Sequence, residues 1–311
     1  MKQLYLLLFL STVLTACSGV NPSYRIAYNV LVNGEKDDYD VFTMNPDGSD
    51  RKNITRHPDV AWTYMAEGNR LFFISDRDTA YRNYFLYETD AHGNHIRRVS
   101  DLRLEDSWMD ARKNGDELVV AGRIGREIRY QLFIIDTRTG QFRQITTDTT
   151  AMFRDPCFSP NGSTLVFAYK PNKRDRSMHE ELYLMDADGG PITQLTTYPK
   201  TDTTAAPHAY RAGPPRWHPT DHFISYHSNQ QGKASLFAIT PDGKKQWKLT
   251  KNAENEGWHD WSPDGKWLVM DIYDYEKKFF MLGIQNWETG EFRILQDSVF
   301  QYNQAPVFVE K

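Results

Sequence analysis

Histidines are the residues here that most invite chemistry, because imidazoles that meet in one place can hold a divalent ion or carry protons near neutral pH. His208, His227 and His259 come from separate segments, and together three neutral rings would suit zinc or manganese. No local spacing pairs them, so the expectation is that no cofactor is required, with a divalent metal at these three positions as the alternative. The densest polar and aromatic segment, Thr203 to His218, holds His208, Tyr210, Arg211 and Arg216. Trp108, Arg154, Asp155, His227, Trp258 and His259 join them as candidates for a cup that takes a carbohydrate, a peptide tail or a partner's loop. Against this stands a plainer reading, in which Trp258 and His259 pack in the interior and the arginines are solvated rim charges. Asp76 and Asp78 offer carboxylates to calcium, or are simply loop charges. Cys157, between Pro156 and Phe158, reads as a small core residue rather than a nucleophile. No phosphate-binding loop, dinucleotide fingerprint, HExxH or G-x-S-x-G elbow occurs.

Composition narrows the partners. With 37 basic and 41 acidic residues the net charge is −4, and no basic run is interleaved with aromatics, so nucleic acid is not expected. The aromatic content of 14% suits many short strands packed face to face. A monomer is expected.

The elements that would position these residues come as a repeat. Turns at Gly48, Gly93, Gly140, Gly189, Gly243 and Gly290 are separated by 45, 47, 49, 54 and 47 residues. Such steps suit a four-stranded propeller blade of about 40–50 residues. A second series, in AEGNRLFF, KNGDELVV, PNGSTLVF, PTDHFISY and PDGKWLVM, leads into apolar strands. Asp-Gly and Asn-Gly supply the positive φ of tight hairpins. With four strands A to D per blade, these turns join A to B and C to D. Tyr24 to Val32 reads as a strand B with no strand A before it, while Gln304 to Phe308 matches the start of a strand A at the far end. The predicted fold is therefore all-β: a six-bladed propeller over residues 24–311, its C-terminal strand completing the N-terminal blade. Both hairpin series are tight, so the extra residues fall in B–C loops such as 75–83 and 170–180 and in the D–A loop 197–215. That loop-rich face is the predicted functional face.

The cores Pro156-Cys157-Phe158-Ser159-Pro160-Asn161-Gly162 and Asp260-Trp261-Ser262-Pro263-Asp264-Gly265, followed by Leu182-Tyr183-Leu184-Met185-Asp186-Ala187-Asp188-Gly189 and Gln194-Leu195-Thr196, resemble TolB-like propeller repeats. The resemblance covers nearly all of residues 24–309 and implies a binding scaffold. It departs from the periplasmic TolB protein in having no α/β segment ahead of the repeats. Prolyl oligopeptidase-type enzymes carry a similar propeller, but the hydrolase elbow is absent from this sequence. Oligogalacturonate lyases are also similar in architecture and hold a metal with histidines in the channel, which is what would give His208, His227 and His259 a catalytic meaning.

The first residues read as a secretory signal: one cation at Lys2, an apolar run from Leu4 to Leu10, then small residues, too short to span a bilayer. Leu14-Thr15-Ala16-Cys17 resembles the bacterial lipobox, which implies cleavage after residue 16, acylation of Cys17 and a tether over 17–23. Ser18 in place of aspartate favours the outer membrane, facing the periplasm or the cell surface. The expected protein is thus a lipid-anchored module of the cell envelope that docks a protein or glycan partner, with a propeller polysaccharide lyase as the alternative.

Overall fold

The computed structural model describes residues 23–205, 209–274, 276–295 and 297–311, so Cys17, the lipobox and His208 lie outside the described residues. Short β-branched and aromatic runs between Gly-bearing turns form six antiparallel sheets arranged as blades around a central channel. Among the described residues there is no α-helix, and none long and apolar enough to cross a membrane.

Blade 1 is built from both ends of the chain. Its innermost strand A is Asn303–Glu310, which pairs with strand B, Tyr24–Asn33, placing Tyr24 opposite Glu310 and Ile26 opposite Phe308. This is the predicted closure. It lets the first blade hide an edge that would otherwise be open. The other inner strands are Ala61–Glu67 in blade 2, Met152–Phe158 in blade 4, Ala212–Trp217 in blade 5 and Asn255–Trp261 in blade 6. Blade 3 differs, because its inner strand is split into Arg103–Leu104 and Asp110–Arg112 around a short excursion. The D–A connection expected to reach residue 215 ends earlier, since strand A of blade 5 begins at Ala212.

One irregularity recurs at the same level of the ring. Register slips between Thr63 and Met65, Arg154 and Cys157, Ala212 and Pro215, Glu256 and His259, and again where Ala27 and Asn29 face Val307 and Gln304. A bulge adds a residue to one strand and re-aims its neighbours. Asp155 and Ala305, both bulge residues, take φ of 51°, which few residues other than glycine adopt.

The threonine ending strand D has a similarly local reason. The hydroxyls of Thr55, Thr146 and Thr196 accept the strand C amides of Val41, Leu132 and Leu182 at 2.8–3.0 Å, extending each sheet beyond its last strand pair. Apolar residues fill the spaces between adjacent blades, for instance Phe153, Leu165 and Phe167 of blade 4 against Val119 and Leu132 of blade 3.

Candidate functional site

The bulged inner strands converge on the mouth that carries the B–C and D–A loops. There they enclose a cavity of about 220 Å³ lined by Trp62, Tyr64, Trp108, Arg154, Asp155 and Trp258, with Arg82 at its rim. Trp62 meets Trp258 edge to face at 6.0 Å and 88°, and Tyr64 lies tilted against Trp108 at 5.3 Å and 44°. Such aromatic walls give a large apolar surface with polar edges. Polar groups complete the lining. The Tyr64 hydroxyl donates to Asp106, and burial with that neighbouring carboxylate keeps the phenol protonated far above its ordinary range. Asp155 accepts the Trp108 amide and the Ser107 hydroxyl, each at 3.0 Å, and so holds the excursion of blade 3 in place. Arg154 lies 3.9 Å from Asp155 and 3.8 Å from Glu180, whose charges keep it firmly cationic despite burial. Within the walls, the indole N–H groups of Trp62 and Trp108 and the Nε of Arg154 are buried without an acceptor among the described residues.

Arg216 forms the floor. Its guanidinium lies 4.1 Å over the Trp108 ring, donates to the Tyr64 carbonyl at 3.0 Å, and has Nε 3.7 Å from Asp260. Beyond it, on the tight-turn face, opens a second vestibule of about 600 Å³ whose lining includes Asp110, Cys157, Arg216 and Asp260. These four occupy one register position in successive blades, opposite Val119, Val166, Ser225 and Val269. Asp110 accepts the Phe158 amide at 2.7 Å and Asp260 that of Phe308 at 2.9 Å, so each carboxyl ties its blade to the next inner strand. Burial raises both carboxyls, Asp260 to about 6, with Arg216 opposing the rise. Burial likewise pushes the Cys157 thiol well up, which leaves it neutral and unreactive as a nucleophile.

Of the residues singled out from the sequence, Trp108, Arg154, Asp155 and Trp258 therefore share one cup, and Arg216 closes it from below. The others lie elsewhere. Tyr210 is buried, donates to Asp202 at 2.8 Å and packs on Tyr198 at 4.2 Å, inside its own connection. Arg211 bridges to Glu180 through the backbone at the entry to blade 5. His227 and His259 are buried, and burial drives both below the usual imidazole range, His227 to about 3 with help from nearby Arg211. Neutral rings can ligate metal, yet among the described residues no group of three or more His, Cys, Asp or Glu stands together to hold one. Asp76 accepts the amides of Val60 and Arg82 instead, as a brace between connections.

One pair looks catalytic by distance alone. Ser225 Oγ and His259 Nε2 are 2.7 Å apart, but the hydroxyl also accepts from Trp261 Nε1 at 2.9 Å and donates to the Arg216 carbonyl at 3.2 Å. Both side chains are fully buried between blades, so the pair is an inter-blade link rather than a nucleophile and its base. Trp62, Tyr64, Asp110 and Asp260 were not singled out from the sequence. A signal for the channel residues exists, since Asp110, Cys157 and Asp260 each precede the turn glycine by five residues, and Arg216 precedes Asp221 by the same step.

The architecture defines a six-bladed β-propeller closed by its last strand, with an aromatic cup at one mouth and a charged vestibule at the other. The family profile described as the TolB beta propeller domain matches residues 126–309, and the chain belongs to that family. TolB from Acinetobacter baumannii superposes with a TM-score of 0.70 at 15% identity, covering 93% of this chain and 67% of that one. An oligogalacturonate lyase in complex with manganese gives 0.56 at 15% identity, covering 88% and 78%. Among curated proteins, dipeptidyl-peptidase 5 of Porphyromonas endodontalis is 30% identical over 112 residues, which is 36% of this chain and 15% of that relative's length.

Proposed function

We propose that this protein is a lipid-anchored binding module of the bacterial envelope whose loop-rich face docks a protein or glycan partner. The observation that carries the reading is the cup itself: aromatic walls, an arginine and a carboxylate on bulged inner strands, with buried N–H groups that have no acceptor among the described residues. A site of this kind binds polar ligands through stacking and a few fixed hydrogen bonds. The Leu14-Thr15-Ala16-Cys17 pattern supports the anchor and the envelope location, and membership of the TolB propeller family supports a partner-binding role. A lyase with a channel metal draws support only from likeness of fold, which propellers share across unrelated functions.

Photo-crosslinking in living cells tests the docking reading. A photoreactive residue in place of Tyr81, exposed in a B–C loop on the cup face, is expected to capture a discrete envelope component. The same group in place of Lys244, exposed on a C–D turn, is expected not to do so. Equal capture from both faces, or none from Tyr81, would overturn the assignment of the face.

A further inference from the structure

Beside the cup, on the same face, lies a groove of about 750 Å³ between blades 3 and 4. The hairpin tip 124–130 and the connection 149–152 form two of its sides, and the loop 172–174 forms the third. In a chain with an overall charge of −4, its lining carries Arg126, Arg129, Lys173 and Arg174 against the single carboxylate of Glu127. The imbalance continues underneath. Glu105 is shared by Arg123 at 2.8 Å and Arg129 at 3.0 Å, while Arg103, crowded by both guanidiniums, has its Nε buried with no acceptor among the described residues. Among the described residues, Lys173 Nζ donates to the Thr149 carbonyl and makes no ion pair, and Arg126 and Arg174 are exposed and form none either.

Tyr130 is the second observation. It stands at a φ of 56°, a conformation costly for an aromatic residue and one that concentrates at binding sites. The register slip between Gly122 and Arg123 opposite it accounts for the turn of the backbone. The result is a phenol ring in the groove wall with Arg129 5.2 Å above it, next to the cationic Arg154 of the cup.

We propose that this groove binds a linear anionic polysaccharide bearing carboxylates. Guanidinium forks match carboxylates in two-pronged hydrogen bonds; that of Arg129 already grips Glu105 in this way, so the forks offered to a ligand are those of Arg126 and Arg174. Thr149, Thr150 and Asn172 in the lining suit sugar hydroxyls, and the Tyr130 ring supplies a face for a pyranose. A bilayer would call for an apolar insertion surface, where the lining offers only Met152, and single-stranded nucleic acid would call for successive stacking platforms, where it offers one ring. The inference deepens the docking reading by naming a ligand class, and it adds no catalytic step.

The test uses the purified protein and polygalacturonate oligomers, measured by calorimetry beside their methyl esters, single-stranded DNA and vesicles of phosphatidylglycerol with phosphatidylcholine. Binding is expected for the polyuronate, weakened by salt and lost on esterification. R126E/R174E should weaken it at least tenfold with an unchanged thermal midpoint, because both side chains are exposed. Tyr130→Gly relieves the backbone, so it should weaken binding severalfold without lowering the midpoint. Equal affinity for the methyl ester, or unchanged affinity in R126E/R174E, overturns the groove. Tighter binding of DNA or vesicles than of polyuronate overturns the ligand class. Capture from the Tyr81 position is a separate readout, so the docking reading stands or falls independently.

Discussion

Replacing Arg216 by methionine keeps most of the side-chain stem and deletes the charge that sits at the centre of the ring. Three contacts go with it: the hydrogen bond to the Tyr64 carbonyl, the position over Trp108, and the compensation of Asp260. A charged hydrogen bond contributes about 1.5–3 kcal/mol, and a desolvated cation–π contact about 2 kcal/mol. Removing one partner of a buried pair costs about 3–5 kcal/mol in total, since these terms overlap. We expect a loss in that range at pH 8. The loss should shrink at pH 5, and the direction follows from the carboxyls. Asp260 has a folded pKa of about 6, above its ordinary 3.8, so its protonated form stabilises the fold at low pH and that contribution fades as pH rises through about 6. Asp110 behaves in the same sense. Without Arg216 both values rise further, and the strain of the unpaired carboxylates is confined to higher pH. His259, which Arg216 also holds neutral, shifts the balance the same way, while Tyr64 and Cys157 stay neutral throughout. Urea unfolding followed by tryptophan fluorescence at the two pH values should show a difference of at least about 1.4 kcal/mol, equivalent to one pKa unit. A loss below about 1 kcal/mol at pH 8, or the same loss at both, would refute the picture of a guanidinium neutralising the channel.

His227→Leu should flatten the acid side of the stability profile. The folded pKa of His227, about 3, lies below its ordinary 6.5, so stability is held above pH 6.5 and is lost as pH falls toward 3, by up to about 1.4 kcal/mol per pH unit. Unfolding midpoints between pH 6 and 4 that track the unaltered protein would count against it. Gly93→Ala should cost at least about 2 kcal/mol, because φ is +81° and the added Cβ would lie 2.4 Å from the Ile54 carbonyl oxygen. Gly290→Ala, with φ of +74° and open space around it, should cost only about 1 kcal/mol, so equal thermal shifts for the two would contradict the close approach.

Much of the ring is legible in the chain because its determinants are local. Positive φ at Gly93 and Gly140 is a property of a turn, and the Thr55, Thr146 and Thr196 hydroxyls act within their own blade. Closure by Gln304 to Phe308 could be read because one repeat lacked what another position supplied. The cup is harder. Trp108, Arg154, Asp155 and Trp258 stood out by type, whereas Trp62 and Tyr64 looked like ordinary strand residues, and only the slip between Thr63 and Met65 brings Tyr64 into the lining. Tyr210, His227 and His259 have the right chemistry for a site, yet a polar side chain on an inner strand or its approach is as readily absorbed between blades.

Taken alone, the sequence determined the number of blades, the turn frame and the seam between the ends, because these depend on backbone conformations and periodicity that each segment carries with it. The tertiary structure decided which residues meet. Asp110 and Phe158, like Asp260 and Phe308, are 48 positions apart and become neighbours only when inner strands of adjacent blades converge. Arg216 reaches Tyr64 from 152 positions away, across the channel. A two-residue alternation says which face of a strand a side chain takes, but a bulge reverses that choice within one residue, and the ring's radius sets what stands opposite. The charges of the channel and of the groove between blades 3 and 4 are thus written in the chain as scattered residues and acquire their chemistry through closure.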